Sequence, residues 1–537
     1  MKILKIAEDY HKAKYECIHT FQLYEDPDFK ADDGSLFYSV NHKKNIVWKR
    51  PKEIVSDPLM FHDKDVLCRV EHGPFSNCWI VAAMDTLAQS PTLLYNAVPV
   101  DQNFTHDYVG IFRFRICRFG KWYEVTIDDK LPYDVEADTL YCMRSKQHDF
   151  WAPLLEKAYA KVLGKYEELK YVMSNDAMEE FTSGLCEMYS MATAPELIYY
   201  IIRAAMKSKS FLLAYRNDKG RQHSSKYPWV HVFVRDMQKL EKPPPKAKLN
   251  VWSFFVRVKA TIPMYFETKE EDNMYHKSLA DRSMMEYYDL TPVEGEDWVV
   301  FGSFIKLFSF LGVVDLPSSN LSPVSGIGGV GQEIKEYHGK WIPDVNAGGS
   351  LEEPTFATNP RHFFTLEDPD EGYHNTQTVV ISLLQKDRKY VMHSMHKKMQ
   401  QIGYFIYALP DSPFWSGRIN WLKPAGFSRH YAVQEVTKRF RMSLGTYLVV
   451  PCTYKAGREG SYILRILTEK RDLTFRQHAY RKTKAALYTV AHTFYVLIYY
   501  ASILAGWALA SVALYLLGFL IFKMSKRRYE DIIRKNK

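Results

Sequence analysis

Gly73-Pro74-Phe75-Ser76-Asn77-Cys78-Trp79-Ile80-Val81-Ala82-Ala83-Met84 is the stretch on which the reading of this chain turns. Cys78 precedes an apolar run, WIVAAMDTLA, that predicts a helix. The thiol then sits at a helix N-terminus, where the dipole lowers its pKa and favours the thiolate. The plainer alternative is a buried structural cysteine, the usual state of an isolated one. The surrounding segments weigh between the two.

Downstream, Phe112 to Ile116 and Trp122 to Ile127 alternate roughly in polarity around Gly120, which predicts a β-hairpin. Trp151 to Leu169 has helical spacing, with Leu154, Leu155, Ala158, Val162 and Tyr166 on one face. Phe211 to Tyr215, His231 to Val234 and Val251 to Val258 predict strands, the last after the turn-like Glu241-Lys242-Pro243-Pro244-Pro245. Residues 320–334, SSNLSPVSGIGGVG and its flank, form a Ser/Gly/Pro linker and the best domain boundary. Beyond it, Thr378 to Leu384, Tyr404 to Leu409, Thr446 to Val450 and Tyr462 to Leu467 are short strands at a spacing that suggests a sandwich. A length of 537 residues allows about three or four domains. Seven scattered cysteines, odd in number, fit a reducing compartment better than a disulfide framework.

The N-terminus, MKILKIAEDYHKAKYE, has early acids and no apolar h-region, so it is not expected to be a signal peptide. The C-terminal end is different. From Ala485 to Phe522 no residue is charged apart from the titratable His492, longer than the roughly 20 residues one membrane span needs. Arg481, Lys482 and Lys484 precede it, and Lys523, Lys526, Arg527 and Arg528 follow. Much of the +9 net charge lies in these flanks, a pattern that suits anionic lipid head groups. No basic patch with interleaved aromatics occurs elsewhere, so no nucleic-acid partner is expected. Positive flanks on both sides favour a hairpin turning near Ala505-Gly506, with the core and both ends in the cytosol. A single-span tail anchor is the rival.

GPFSNCWIVAAM resembles the nucleophile segment of the calpain family, Gln-Gly-x-x-Gly-Asp-Cys-Trp, with Cys78-Trp79 in the nucleophile position. Upstream, Asp26-Pro27-Asp28-Phe29, Ser35-Leu36-Phe37-Tyr38 and Trp48 to Ile54 resemble the family's opening block. Downstream, Gly110 to Tyr133, Phe150 to Leu169 and Phe181-Thr182-Ser183-Gly184 resemble its next blocks. GKWIPDVNAGG, TNPRHFFTLEDPDE and VTKRFRMSLGTYLVVPCTY resemble its β-sandwich domain. The resemblance runs in order over residues 20–475.

It implies an α+β chain: a papain-like calpain protease core in two halves, an antiparallel C2-like β-sandwich, and here a C-terminal transmembrane segment. The expected domains are an extension over 1–20, the nucleophile half of the core over 21–190 and its histidine half over 191–319. The linker follows, then the sandwich over 335–475, and the basic-flanked membrane segment and tail over 476–537.

A papain-like site needs a thiolate, a histidine base, an orienting asparagine and an oxyanion donor. The resemblance gives Cys78 the first role and His231, opening a strand as the family histidine does, the second. His223, in the polar loop GRQHSSKY, reads as solvated. For the asparagine, two alignments compete. Asn250-Val251-Trp252 imitates Asn-Pro-Trp-Gly but precedes its strand. Aligning Phe254 to Lys259 with the family strand puts Ala260 in the asparagine position and Ile262 in the tryptophan position. The second keeps the order the geometry requires. The oxyanion glutamine position falls on His72. Calcium, which the family binds in each half, meets Arg69 at a ligand Asp position and Asp149 at its partner. In the second half Glu294 and Glu296 remain acidic. No EF-hand loop occurs. The loop Glu367-Asp368-Pro369-Asp370-Glu371 reads first as a solvated face and second as a calcium loop.

The expectation is therefore a membrane-tethered calpain homologue with impaired catalysis, acting as a pseudo-protease or scaffold on protein partners and a lipid bilayer. It would need no cofactor, and calcium control would be eroded. An active calpain-type cysteine endopeptidase using Cys78 and His231 is the alternative.

Overall fold

The computed structural model describes residues 8–38, 45–61, 70–71, 73–75, 78–88, 90–145, 149–171, 174–192, 195–207, 210–215, 231–239, 254–260, 269–288, 290–291, 296–316, 332–367, 375–386, 399–409 and 422–469. The nucleophile half holds the helices α1 (Glu8–Thr20), α2 (Cys78–Ala88), α3 (Trp151–Leu163) and α4 (Ser174–Thr182), with the hairpin β1 (Ile111–Arg118) and β2 (Lys121–Asp128). Ile80, Val81, Ala83, Met84 and Leu87 of α2 are fully buried, as a mostly apolar helix requires. The expected hairpin is present, longer at both ends. Its turn residues, Phe119 at φ 52° and Gly120 at φ 73°, both take the left-handed region that a two-residue turn needs to match strand twist.

The helix expected over Trp151 to Leu169 stops earlier. Gly164 takes φ 107° and closes α3, its N–H donating to Ala160 O at 2.8 Å, and a 3-10 turn, Tyr166–Tyr171, follows. Tyr166 is buried as expected, but from that turn rather than from the helix.

Behind this half lies a buried ionic network. Lys157 Nζ donates to Asp128 Oδ1 at 2.5 Å and Lys161 Nζ to Asp26 Oδ2 at 2.7 Å, while Arg50 pairs with Asp129. Asp128 Oδ2 accepts the Asp26 N–H at 2.8 Å, and the Tyr108 hydroxyl donates to Asp129. Three carboxylates meet three cations, and none of the six side chains is more than 9% exposed.

The histidine half is a six-stranded antiparallel sheet of β3 (Leu185–Ser190), β4 (Phe211–Tyr215), β5 (His231–Lys239), β6 (Phe254–Ala260), β7 (Asp297–Val300) and β8 (Phe310–Asp315), in the order β7-β6-β5-β4-β8-β3. A second apolar core, including Ile202, Val256, Val299 and Phe304, covers it. Only Ser183 and Gly184 separate α4 from β3, so the halves meet there and not after residue 190 as the sequence reading expects.

The sandwich follows as expected. One sheet is β9 (Gln332–Trp341), β16 (Gly460–Glu469), β11 (Thr376–Gln385) and β14 (Glu435–Ser443), in that order; the other is β10 (His362–Leu366), β15 (Gly445–Thr453), β12 (Ile402–Ala408) and β13 (Gly426–Phe427). Trp341, Ile381, Tyr404, Val449 and Leu464 fill the space between them. The linker over 320–334 lies outside the described residues up to 331, and β9 takes its last three positions. Among the described residues no helix is long and apolar enough to cross a membrane, and the run Ala485 to Phe522 lies outside them.

Candidate active site

Cys78 is the first residue of α2, an eleven-residue helix, as the sequence predicts. The approach to it is held on its upstream side. Phe75 is 1% exposed and packs on Phe37, Tyr141 and Tyr166 at ring separations of 5.3, 5.2 and 5.5 Å. Gly73 lies against the Cys142 main chain so closely that an added Cβ would come within 2.5 Å of its carbonyl carbon. A backbone contact of this kind admits glycine alone. The backbone is thereby anchored at Gly73 and at Phe75, the latter three residues ahead of Cys78.

His231 is the first residue of β5, and its Cα partner is Tyr215 of β4. On the other side of β5, Val232 pairs with Ala260, the last residue of β6. Ala260 therefore ends its strand one register position from His231. The opposite end of β6, Phe254, pairs with Lys239 at the far end of β5. A residue ahead of β6 enters the sheet at the end away from His231. Ala260 is thus the strand-end residue near His231 among the described residues, and a methyl group offers no atom with which to orient an imidazole.

Of the other residues singled out in the sequence, His72, Ser76, Asn77, Asn250, Arg69 and Glu294 lie outside the described residues, as do positions 368–371 of the acidic loop. Asp149 is 3% exposed and forms a parallel bridge with Leu59. Glu296 is described: its carboxylate lies 3.3 Å from Arg257 Nε, and that guanidinium also covers the Trp298 ring at 5.5 Å. Among the described residues, neither Asp149 nor Glu296 belongs to a group of three or more His, Cys, Asp or Glu suited to a metal.

The sequence reading missed Arg465, which is buried, and Arg439, which is largely covered, each against carboxylates of the core. The one trace in the sequence is that each stands in a strand with apolar residues on both sides, Val436 to Met442 and Ile463 to Leu467.

The profile of the Calpain family cysteine protease matches residues 24–240, and that of Calpain large subunit, domain III, matches residues 337–467. The chain is 31% identical to Calpain-A of Drosophila melanogaster over 492 residues, which covers 87% of this chain and 58% of that protein. It is 30% identical to Calpain-8 of Rattus norvegicus over 504 residues, covering 87% of this chain and 68% of that one. It is 30% identical to the Calpain-1 catalytic subunit of Gallus gallus over 502 residues, again with 87% and 68% covered. The chain thus spans somewhat over half to about two thirds of the relatives it matches.

Proposed function

Because the chain belongs to the calpain family, we propose that it is a membrane-tethered calpain homologue whose papain-type site is chemically impaired, and that it acts mainly by binding protein partners. The observation that carries this reading is the register that puts Ala260 beside His231. Cys78 at the head of α2 keeps the means to form a thiolate. His231 is the group to take its proton. Without an orienting amide the imidazole spends much of its time turned away from the thiol, and proton transfer is correspondingly rare. With His72 in place of the oxyanion amide, a further loss of about a hundred- to a thousand-fold is expected. The two losses act on one transition state and do not simply add.

Calcium control is weakened in the same reading. The Glu296 carboxylate sits on Arg257, so a cation there would have to displace a guanidinium. The membrane tether rests on the uncharged run Ala485 to Phe522 and its basic flanks. It sets the core on the cytosolic side.

Three outcomes decide the reading. The full chain in detergent should show little calcium-stimulated casein hydrolysis; robust hydrolysis abolished by Cys78→Ala would establish the active endopeptidase instead. Labelling by a thiol-directed peptide electrophile should be slow, and faster in His72→Gln with Ala260→Asn. The chain should resist alkaline carbonate, and its release would refute membrane insertion.

A further inference from the structure

The outer face of the sheet β9-β16-β11-β14 lies against the core where its two halves join. Val380, Leu467 and Ile334 pack there on Leu185, the first residue of β3. Two arginines flank this apolar contact. Val380 is the Cα partner of Arg439, and Ser382, two residues along the same face, is the partner of Arg465.

Each arginine reaches a different half. Arg465, 1% exposed, lies 2.9 Å from Glu179 Oε1 on α4 and donates at 2.5 Å to Glu435 of its own sheet. Arg439 donates to Glu187 Oε1 on β3 from Nε at 3.0 Å and from Nη2 at 2.6 Å, and it also pairs with Asp315 at the end of β8. Glu187 and Asp315 are almost fully buried. Between the two gripped elements, α4 and β3, lie only Ser183 and Gly184. Ser183 takes φ 59°, a left-handed conformation that a β-carbon disfavours. A Cβ at Gly184 would come within 2.9 Å of the Asp315 carbonyl oxygen. The two halves are therefore joined by a tight two-residue link with an arginine bound on either side.

Each gripped element stands next to one that carries a reactive residue. α4 packs on α2, which begins at Cys78. β8 pairs with β4, where Tyr215 is the Cα partner of both Phe310 of β8 and His231 of β5. We propose that the sandwich sets the placement of Cys78 relative to His231, with Arg465 and Arg439 as positioning residues on the two sides of the link. This rests on the reading of Cys78 and His231 as a dyad. Charge-assisted bonds to buried carboxylates suit the task, because a shift of one half would leave Glu179, Glu187 or Asp315 without its counter-charge away from water.

Hydrogen exchange on the full chain in detergent tests the bracing, and the pH profile of Cys78 alkylation by iodoacetamide tests its effect on the site. Arg439→Met alone strands Glu187 and Asp315 and risks misfolding, so it is paired with Arg439→Met/Glu187→Gln/Asp315→Asn, in which the cluster is neutral. In the neutral triple variant, exchange in 185–190 and 310–315 should rise by about tenfold or more while β12 and β15 keep their protection. The alkylation midpoint of Cys78 should move up toward that of a free thiol, about 8.5. Arg465→Met should instead expose α4, and Arg439→Lys should recover some of the protection. Unchanged exchange in 185–190 and 310–315 overturns the proposal, as does loosening confined to the sandwich. A wild-type Cys78 that already titrates as a free thiol sinks the dyad reading and with it the positioning role; the exchange result then decides the bracing by itself.

Discussion

Two of the buried ionic clusters among the described residues are built to different charge balances. Behind the nucleophile half, Asp26, Asp128 and Asp129 face Lys161, Lys157 and Arg50, one cation to each carboxylate. Burial pushes Asp26 and Asp129 up, and the neighbouring Lys161 and the Tyr108–Arg50 pair pull them back, so each shift is limited. At the sandwich contact, Glu187 and Asp315 share the single guanidinium of Arg439. Burial, helped by the Asp315 charge and opposed by Arg439, pushes Glu187 up to about 7. With two acids on one cation, Glu187 holds a proton that it gives up near neutrality.

The sharpest way to break this contrast is to unbalance the first cluster. Lys157→Met leaves Asp128 buried beside two other acids, and a stability loss of about 3–5 kcal/mol is expected in urea unfolding. A loss below about 1 kcal/mol would mean that the network does not carry these charges. Arg465→Met should cost less, about 2–3 kcal/mol, because Glu179 and Glu435 left side by side can share one proton. The loss should grow from pH 6 to pH 8; a loss independent of pH would remove the distinction between the clusters.

Glu187→Gln tests the held proton directly. Glu187 faces Asp315 of β8, Arg439 of β14, Tyr189 of its own strand and Tyr404 of β12, with Ser210 donating to Asp315 at 2.5 Å. Its folded pKa lies above the unfolded one, so folding takes up a proton. The stabilisation is full below about pH 4.5 and is lost as pH rises through about 7. Relative to Glu187→Gln, the wild type should lose about 1–3 kcal/mol across that window. An identical slope in both would assign the proton elsewhere. The smallest effect is expected on the surface. Arg282 and Glu286 form an exposed pair at 3.2 Å on one helix face, and Arg282→Ala should leave the unfolding midpoint unmoved.

Sequence order carried much of this structure, and it failed where contacts are distant. The β1–β2 hairpin and the sandwich strands are legible because alternation within a strand reports which face is buried. The end of α3 is misread from sequence because apolar spacing persists to Tyr166, and one glycine overrules it by taking a conformation that other residues avoid. Cys78, His231 and Ala260 are reachable as candidates because chain order marks a helix start and two strand ends. Arg439 and Glu187 are 252 residues apart, and no local pattern marks an arginine as buried when its partner lies in another domain. Charged residues in alternating strands read as solvent-facing, and here the outer face of the sheet meets protein.

The first and last strands of the sandwich are neighbours, and Gln332 is the Cα partner of Glu469. The chain therefore enters and leaves the sandwich at the same end of the sheet. A pull on the chain beyond Glu469, resisted by the core on the other side of Gln332, acts across the ladder rather than along it. The pairs from Gln332↔Glu469 toward Trp341↔Gly460 would separate in succession, each needing only a small force, like a zipper drawn from its open end. Strands loaded lengthwise must break all their bonds together and resist far more. A pull on the tail would thus open β16 from β9 at the Glu469 end and load Arg465, four positions in, early.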